Sequence, residues 1–251
     1  MESSDRQEMI LRALREADRV SVTELAALTG CSEMTIRRDL DALERDGLLR
    51  RVRGGAVSAL TGEETPFPVR GRQHVAAKRR IAAAVAELVD DGESLVLDSG
   101  TTAVEVARLL RDRRLTVLPL CLHSATVLAG AERVRLLLPG GDVRPTELAF
   151  TGPLTEHAFR QLRFDTLVLG CCGITARDGV TAHDLAEGQV KRAAVAASSR
   201  VIAVADGSKL GRTSFGRVCG LEEVDLVVTD VDAPAEQVEA LRAAGVEVLC
   251  V

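Results

Sequence analysis

The sequence predicts an α/β protein with two domains: a small helical domain at the N-terminus and a larger domain built on a mostly parallel β-sheet. Residues 5–46 carry apolar residues at three- and four-residue spacing, as amphipathic helices do. From residue 93 onward, short apolar runs alternate with helical stretches, which is typical of a parallel sheet covered on both faces. Between these regions, residues 58–74 contain prolines and glycines without apolar periodicity, which indicates an exposed linker.

The composition limits the possible functions. The 251 residues suffice for two cores, and the net charge of −5 argues against a surface that binds nucleic acid everywhere. No apolar run approaches the roughly 18–20 residues of a membrane span, and no signal-peptide pattern follows the polar N-terminus. The six cysteines lack CxxC spacing. We therefore expect a reduced, cytoplasmic protein that binds no metal, no cofactor and no membrane.

The N-terminal domain begins with three predicted helices. Apolar periodicity places the first helix at about residues 5–17. Ser21 and Glu24 have the spacing of a capping box at the start of a second helix, which Gly30 ends. Ser32 then caps a third helix that runs to about residue 46. Two short helices joined by a tight turn are the arrangement that places the later helix in a DNA groove.

The apolar stripe of the third helix shows which side faces outward. Ile36, Leu40 and Leu43 form this stripe. Arginines on the opposite side can read guanine edges or bind phosphates. The residues that we expect to face DNA belong to the first two turns: Ser32, Met34, Thr35, Arg37 and Arg38. The alternative is an ordinary charged helical hairpin.

The stretch that follows the third helix supports DNA binding. Residues 47–57, GLLRRVRGGAV, contain three arginines and no acid. Their alternating pattern and two glycines suggest a β-hairpin wing. We expect Arg50, Arg51 and Arg53 to reach phosphates or the minor groove.

These residues also carry a family resemblance. The run VTELAALTGCSEMTIRRDLDALERDGLLRRVRGGA resembles the winged helix-turn-helix of DeoR-type bacterial transcriptional regulators, in its TIRRDL core and its terminal GGA. The resemblance implies that Thr35, Arg37 and Arg38 contact DNA. Arg53 stands where the family often has a histidine, and it keeps the wing basic. We assign residues 1–57 to this domain.

The larger domain is predicted at residues 75–251. Helices are predicted at 78–88, 103–112, 123–130, 153–162, 185–198 and 234–243. Strands are predicted at 94–97, 115–118, 134–138, 165–170, 200–205, 225–229 and 246–251. Ligands of such sheets bind beyond the carboxyl ends of the strands. Four sequence features fall at these ends.

The first feature is a DSGTT segment at a strand-to-helix turn. Its amides and hydroxyls can cradle a phosphate at the helix N-terminus, and its aspartate can hold a sugar hydroxyl. The candidate residues are Asp98, Ser99, Gly100, Thr101 and Thr102. A well-capped helix without a ligand is the alternative.

Two further features combine glycines with a cation or with small residues. Gly140 and Gly141 form a predicted tight turn, followed by Arg144, which can pair with an anionic ligand. An ordinary surface turn would look the same. Gly173 closes the run GCCG at a strand end, where small residues permit close approach.

The fourth feature contains two of the three lysines, in a chain with 29 arginines. Glu187 and Lys191 have the i,i+4 spacing of a helix-surface ion pair, which is also the alternative to a ligand site. Asp206 and Lys209 follow a strand end, where an ammonium group can reach a phosphate.

The larger domain resembles the sensor domain of the same DeoR-type family. DSGTT, LPGGDVR, GITARDGVTAHDLAEGQVK and ADGSK occur in that family's order. The resemblance implies a fold similar to ribose-phosphate isomerase and glucosamine-phosphate deaminase, and a phosphorylated sugar as effector. The chain departs from the family at Pro119 and Leu120, where Thr-Asn is usual, so an asparagine donor to the ligand is missing.

The function predicted from the sequence is transcriptional regulation. We expect a repressor of a carbohydrate-metabolism operon that is not an enzyme and that binds double-stranded operator DNA, a phosphorylated sugar and further copies of itself, as a dimer or tetramer. The alternative is a phosphosugar isomerase or deaminase with an appended nucleic-acid-binding module. An enzyme of that kind needs a general acid and a general base, and the sequence alone shows no pair of residues to which these roles can be assigned.

Overall fold

The computed structural model describes residues 3–16, 19–45, 49–58 and 65–251. The chain forms two compact units, Met1–Val69 and Arg70–Val251. None of the helices in these described ranges is long and apolar enough to cross a membrane. All six cysteines are free thiols.

The first unit contains three helices and a small antiparallel sheet. In chain order its elements are α1 (Ser3–Glu16), β1 (Arg19–Ser21), α2 (Val22–Thr29), α3 (Glu33–Arg45), β2 (Leu49–Val52) and β3 (Gly55–Ser58). The strand order is β1-β3-β2. The predicted capping box of Ser21 and Glu24 is present, and Gly30 ends α2 in the left-handed conformation. The predicted end of the third helix, at residues 46 and 47, lies outside the described residues.

A compact apolar core joins the elements of the first unit. Ile10 of α1, Leu25 of α2 and Ile36 of α3 are fully buried in it. Strand β3 closes the core at Gly55, where a Cβ atom would lie 2.1 Å from the carbonyl oxygen of Val20. Only glycine permits this approach of the two strands.

The second unit alternates helices and strands over its whole length. Its helices are α4 (Phe67–Arg70), α5 (Val75–Glu87), α6 (Thr101–Leu110), α7 (Leu122–Leu128), α8 (Pro153–Gln161), α9 (Leu185–Ala196) and α10 (Ala235–Ala243), of which α4 begins before the unit's first residue. Its strands are β4 (Ser94–Leu97), β5 (Leu115–Pro119), β6 (Val134–Leu136), β7 (Asp142–Arg144), β8 (Ala149–Thr151), β9 (Phe164–Gly170), β10 (Gly173–Thr175), β11 (Gly179–Ala182), β12 (Ser198–Val204), β13 (Gly216–Cys219), β14 (Leu226–Thr229) and β15 (Glu247–Cys250).

Seven parallel strands form the main sheet, in the order β15-β14-β12-β9-β4-β5-β6. Residues of each strand alternate between two cores. On β9, Leu167 and Leu169 face one core with α8, α9 and α10, while Val168 faces the other with α5, α6 and α7. The predicted α/β class, with a mostly parallel sheet covered on both faces, is confirmed.

The strand order reverses direction between β4 and β9. From β4 the chain continues outward through β5 and β6, and then returns to place β9 on the opposite side of β4. Ligands of open α/β sheets bind at such a switch point, beyond the carboxyl ends of the strands. The residues after β4 and at the end of β9 therefore lie at the position where ligands of such sheets bind.

The structure departs from the predicted elements in several places, one of which is strand β1, which was not predicted. The hairpin β7-β8 and the antiparallel strands β10, β11 and β13 were not predicted, because strands of three or four residues carry too little alternation to detect. The predicted linker, 58–74, contains helix α4. Helix α5 begins at Val75, three residues before its predicted start. Residues 59–64 of that linker lie outside the described residues.

Candidate functional site

The first candidate surface is the exposed side of α3. Because Ile36, Leu40 and Leu43 are buried, the side chains on the other side of the helix face solvent. The structure brings the predicted DNA-facing residues together at the start of the helix, four of them exposed and one half-buried: Ser32, Met34, Thr35, Arg37 and Arg38. This is the end of a helix that can enter a major groove.

Local hydrogen bonds already orient three of these side chains, since the hydroxyls of Ser32 and Thr35 lie 2.9 Å apart. The hydroxyl of Ser32 accepts a hydrogen bond from the backbone N–H of Thr35 at 3.2 Å, so it caps the helix as predicted. Arg37 pairs with Glu33 at 3.0 Å, one turn earlier. Arg38 makes no hydrogen bond or ion pair with any residue that the structure describes. The guanidinium of Arg38 is therefore available to a base edge.

The predicted wing is the hairpin of β2 and β3. Arg53 is exposed at its turn, where Gly54 has a φ of +82°. Arg51 instead directs its guanidinium toward α3, where it pairs with Asp41. The side chain of Arg50 lies outside the described residues. Of the two wing arginines whose side chains the structure describes, Arg53 is the one exposed at the turn, where it can meet a DNA backbone.

A buried ion pair inside this unit was missed by the sequence reasoning. Asp39 of α3 is only 5% exposed and pairs with Arg6 of α1. The signal was an aspartate between Ile36 and Leu40, on the flank of the apolar stripe. This pair fixes α3 against α1, since a buried carboxylate needs its cation.

The second candidate site lies at the switch point of the main sheet. Asp98, directly after β4, is fully buried, and its carboxylate accepts a long hydrogen bond of 3.5 Å from the Ser99 hydroxyl and three shorter ones. The shorter bonds come from the backbone N–H of Ser99 at 2.7 Å, the backbone N–H of Gly170 at 2.8 Å, and the ammonium group of Lys191 at 2.7 Å. Lys191 also donates to the carbonyl of Gly170 at 3.2 Å. The predicted residues Asp98 and Lys191 thus form one buried ion pair.

The buried ion pair keeps the lysine charged. Burial works against the ammonium form of Lys191, but the carboxylates of Asp98 and Glu187 outweigh it and raise the pKa of Lys191. The closeness of this packing also explains Gly170: a Cβ atom there would lie 2.9 Å from the carbonyl oxygen of Ser99.

A second acid–base pair, Glu187 with Arg144, lies next to the pair of Asp98 and Lys191. Glu187, near the start of α9, is 6% exposed. It accepts a hydrogen bond from Arg144 Nε at 2.7 Å and lies 3.4 Å from the Ser99 hydroxyl. Asp184 caps α9 by accepting from the N–H of Glu187 at 2.9 Å. The cap holds Glu187 beside Asp98. We call the four residues Asp98, Lys191, Glu187 and Arg144 the charged quartet.

The DSGTT segment forms the start of α6 beside the charged quartet. Gly100, with a φ of +115°, precedes the helix, and Thr101 and Thr102 are its first two residues. Both threonines are half-buried. Within the described residues their hydroxyls have no hydrogen-bond partner. The first amides of a helix also lack partners inside the helix. The segment therefore presents hydroxyl and amide donors, which suit an anion.

Asp206 and Lys209 lie at the end of β12. Burial works to raise the pKa of Asp206, but the hydrogen bond from Ser208 and the charge of Lys209 outweigh it, so the pKa is lowered. The ammonium group of Lys209 is half-buried and forms no hydrogen bond or ion pair within the described part of the chain. It remains available to an anion.

All three lysines of the chain meet in this region. Lys78 of α5 was not a predicted site residue, although lysine is rare here. It is 5% exposed and donates to the carbonyl of Gln73 at 2.8 Å and to that of Arg70. Burial lowers its pKa to about 8, and the charges of Asp206 and Lys209 also act on it. The rarity of lysine was the signal that could have identified Lys78.

Three glycines that the sequence analysis predicted as ligand-binding residues also have a structural role in the fold. The carbonyl of Gly140 accepts a hydrogen bond from the Thr155 hydroxyl at 2.7 Å, and a Cβ atom at Gly141 would lie 2.3 Å from that hydroxyl. At Gly173, a Cβ atom would lie 2.3 Å from the carbonyl of Arg212. The close contacts explain Gly141 and Gly173 without a ligand, and a φ of +73° explains Gly140. The role of all three in binding stays a prediction.

The departure at residues 119–120 leaves an apolar strand end. Leu120 is 2% exposed and packs in the core, while its backbone N–H donates to the carbonyl of Leu97 at 2.7 Å. Among the residues that the structure describes, no side-chain amide donates to Asp98 at this strand end.

Comparison with known proteins matches both units to family models. The model of the DeoR-like helix-turn-helix domain matches residues 6–61, and that of the DeoR C terminal sensor domain matches residues 73–231. The putative aga operon transcriptional repressor of Escherichia coli O157:H7 is 36% identical over 254 residues, covering 99% of this chain and 94% of the relative. The glycerol-3-phosphate regulon repressor of Escherichia coli K12 is 33% identical over 242 residues, covering 96% of each.

Among solved structures, similarity is found to ribose 5-phosphate isomerase A from Methanocaldococcus jannaschii. The two chains are 15% identical, with a TM-score of 0.39, and the match covers 53% of this chain and 52% of the other.

Proposed function

Because the chain belongs to the DeoR family of transcriptional regulators, and is a DNA-binding repressor rather than an enzyme, we propose that it represses a carbohydrate-metabolism operon under the control of a phosphorylated sugar. The sugar phosphate binds in residues 75–251, and the operator binds residues 1–57, with 58–74 as the linker. A regulator of this kind acts where the DNA is, so we place it in the cytoplasm.

The observation that carries the effector assignment is that donors follow the carboxyl ends of β4 and β12 on the same edge of the main sheet as the charged quartet. The hydroxyls of Thr101 and Thr102, with the ammonium group of Lys209, supply donors for a phosphate. Glu187 and Arg144 lie beside them and can bind sugar hydroxyls, because a carboxylate accepts and a guanidinium donates. A ligand with a phosphate at one end and hydroxyls along its length suits both.

Within this proposal, Asp98 and Lys191 play a supporting role. Their side chains are 1% and 5% exposed, and they satisfy each other at 2.7 Å. A buried pair of this kind holds the end of β4 against α9 and so orients Ser99 and Glu187. Two relatives support the class of ligand, since one is named for the glycerol-3-phosphate regulon and the other for the aga operon.

For operator binding, we propose that α3 enters the major groove with Arg38 and Met34 toward the bases. Arg37 and Thr35, already oriented by Glu33 and Ser32, lie at the edge of the groove. Helix-turn-helix regulators bind two half-sites about 34 Å apart, so we propose a dimer or tetramer of this chain.

The effector assignment is tested by thermal unfolding with a panel of sugar phosphates, each paired with its dephosphorylated sugar. The chain has no Trp and no Tyr, so circular dichroism is the method of choice. A binding sugar phosphate should raise the melting temperature, and its dephosphorylated sugar should not. Lys209→Ala should abolish the shift, whereas Arg177→Ala, which removes a 93% exposed guanidinium, should preserve it. Equal shifts with sugar and sugar phosphate would contradict the phosphate cradle.

A further inference from the structure

Arg51, on strand β2 of the wing, makes an unusual set of contacts with α3. Its backbone N–H donates to Glu44 Oε1 at 2.7 Å. Its guanidinium donates to the carbonyl oxygen of Arg37 at 3.2 Å and forms an ion pair with Asp41. The side chain is only 24% exposed, whereas Asp41 is 62% exposed.

These contacts follow one side of the helix. Arg37, Asp41 and Glu44 are spaced at i, i+4 and i+7, so they lie one above another along α3. One residue of the wing therefore contacts three successive turns of the helix. The contact with the Arg37 carbonyl reaches the turns that carry the DNA-facing side chains.

The charge of Arg51 is already compensated. Asp41 lies against its guanidinium, and binding a phosphate would require Arg51 to leave both Asp41 and the Arg37 carbonyl. Arg53, two residues further along, is exposed at the turn of the same hairpin. Arg51 and Arg53 therefore differ in how much of the side chain is accessible to a DNA backbone.

We propose that Arg51 is a positioning residue that fixes the wing against α3 and does not itself bind a phosphate. This inference rests on the DNA-binding role of the first unit. Arg51 sets the angle between two DNA-contacting elements, so that α3 and the turn at Arg53 meet the major groove and the backbone together. Its loss should reduce binding to the operator more than binding to DNA of unrelated sequence.

The salt dependence of binding separates the two roles. A phosphate contact contributes about 0.9 to the slope of log affinity against log salt for duplex DNA. We expect Arg51→Met to weaken operator binding roughly fivefold, as loss of one ion pair would, and to leave the slope unchanged. The matched variant Arg53→Met should lower the slope by about 0.9. A slope lowered to the same extent by Arg51→Met would overturn the proposal.

Two further variants distinguish positioning from charge and from loss of folding. Lysine can bind a phosphate as a point charge, but it cannot hold the Arg37 carbonyl and Asp41 together as a planar guanidinium does. Arg51→Lys should therefore weaken operator binding as Arg51→Met does; full affinity with lysine would overturn the proposal. Circular dichroism at the assay temperature shows that each variant is folded.

Asp41→Ala separates a positioning role of Arg51 from a simple charge effect, because only the positioning role predicts a change in the ratio of operator to unrelated-sequence affinity. Removing a carboxylate near DNA should by charge alone strengthen binding to every sequence. If Arg51 acts through Asp41, Asp41→Ala should lower the ratio of operator to unrelated-sequence affinity. The double variant Arg51→Met with Asp41→Ala should then lose no more operator affinity than Arg51→Met alone. Additive losses would overturn the proposal. If wild-type protein does not prefer its upstream DNA, the proposed operator is wrong, yet salt slopes on unrelated DNA still decide the role of Arg51.

Discussion

Replacing Lys191 by methionine should strongly destabilise the second unit. The change leaves the fully buried Asp98 carboxylate without the ammonium group that lies 2.7 Å away. Removing one partner of a buried pair costs roughly 3–5 kcal/mol. Asp98 keeps the two amides of Ser99 and Gly170, at 2.7 and 2.8 Å, so we expect about 3 kcal/mol, at the low end of that range. For a domain of this size, that lowers Tm by about 9 °C.

The assay is urea unfolding of wild type and variants, followed by circular dichroism. The control variant Arg108→Met breaks the exposed pair with Glu105 and should cost less than about 0.5 kcal/mol. The double variant Asp98→Asn with Lys191→Met should regain most of the lost stability, because no uncompensated charge remains. A loss below about 1 kcal/mol for Lys191→Met alone would refute the reasoning that this pair supports the site.

Three other outcomes follow from the same contacts. Arg38→Ala should weaken operator binding about tenfold or more, as measured by the fluorescence anisotropy of labelled operator DNA. It should leave sugar-phosphate binding intact, as measured by the rise in melting temperature. Loss of both activities would contradict the assignment of DNA binding to the first unit and effector binding to the second. Gly170→Ala should destabilise the second unit by about 2 kcal/mol in urea unfolding, because its Cβ atom would lie 3.3 Å from Asp98 Oδ2 and 2.9 Å from the Ser99 carbonyl; unchanged stability would show that the loop adapts. In the folded chain Lys78 has a pKa of about 8, below the usual 10.5. Between these two pH values the folded state binds fewer protons than the unfolded state, so the free energy of unfolding rises with pH. The free energy of unfolding of wild type minus that of Lys78→Met should rise by about 1 kcal/mol from pH 8 to 9, and a flat difference would contradict the burial of this ammonium group.

Much of the fold was predictable because its signals are local. The capping box at Ser21, the left-handed Gly30 and the apolar strands of the main sheet each depend on neighbouring residues. The small antiparallel strands were missed because their stability comes from packing. For example, Gly173 of β10 lies against the backbone of Arg212, a contact with no sequence pattern.

The sequence indicated which strand ends several charged residues of the candidate site follow, but not how those residues pair. The strand-end rule brought Asp98, Glu187 and Lys191 together as candidates. The sequence suggested Glu187 with Lys191 at i,i+4, whereas the structure pairs Lys191 with Asp98 and Glu187 with Arg144. Such partners are set by how distant segments pack at the switch point. The same holds for Arg51, whose contact with α3 depends on how the hairpin folds back.

The measurement that tests the central claim most directly is operator binding in the presence of sugar phosphates. Labelled DNA from upstream of the gene is titrated with wild type, Lys209→Ala and Arg177→Ala, with and without the sugar phosphate that raises Tm. We expect that ligand to weaken wild-type and Arg177→Ala binding about tenfold or more, a coupling of typical size, and to leave Lys209→Ala bound. A sugar phosphate that binds the protein without changing operator affinity in wild type would contradict the claim that the second unit controls the first.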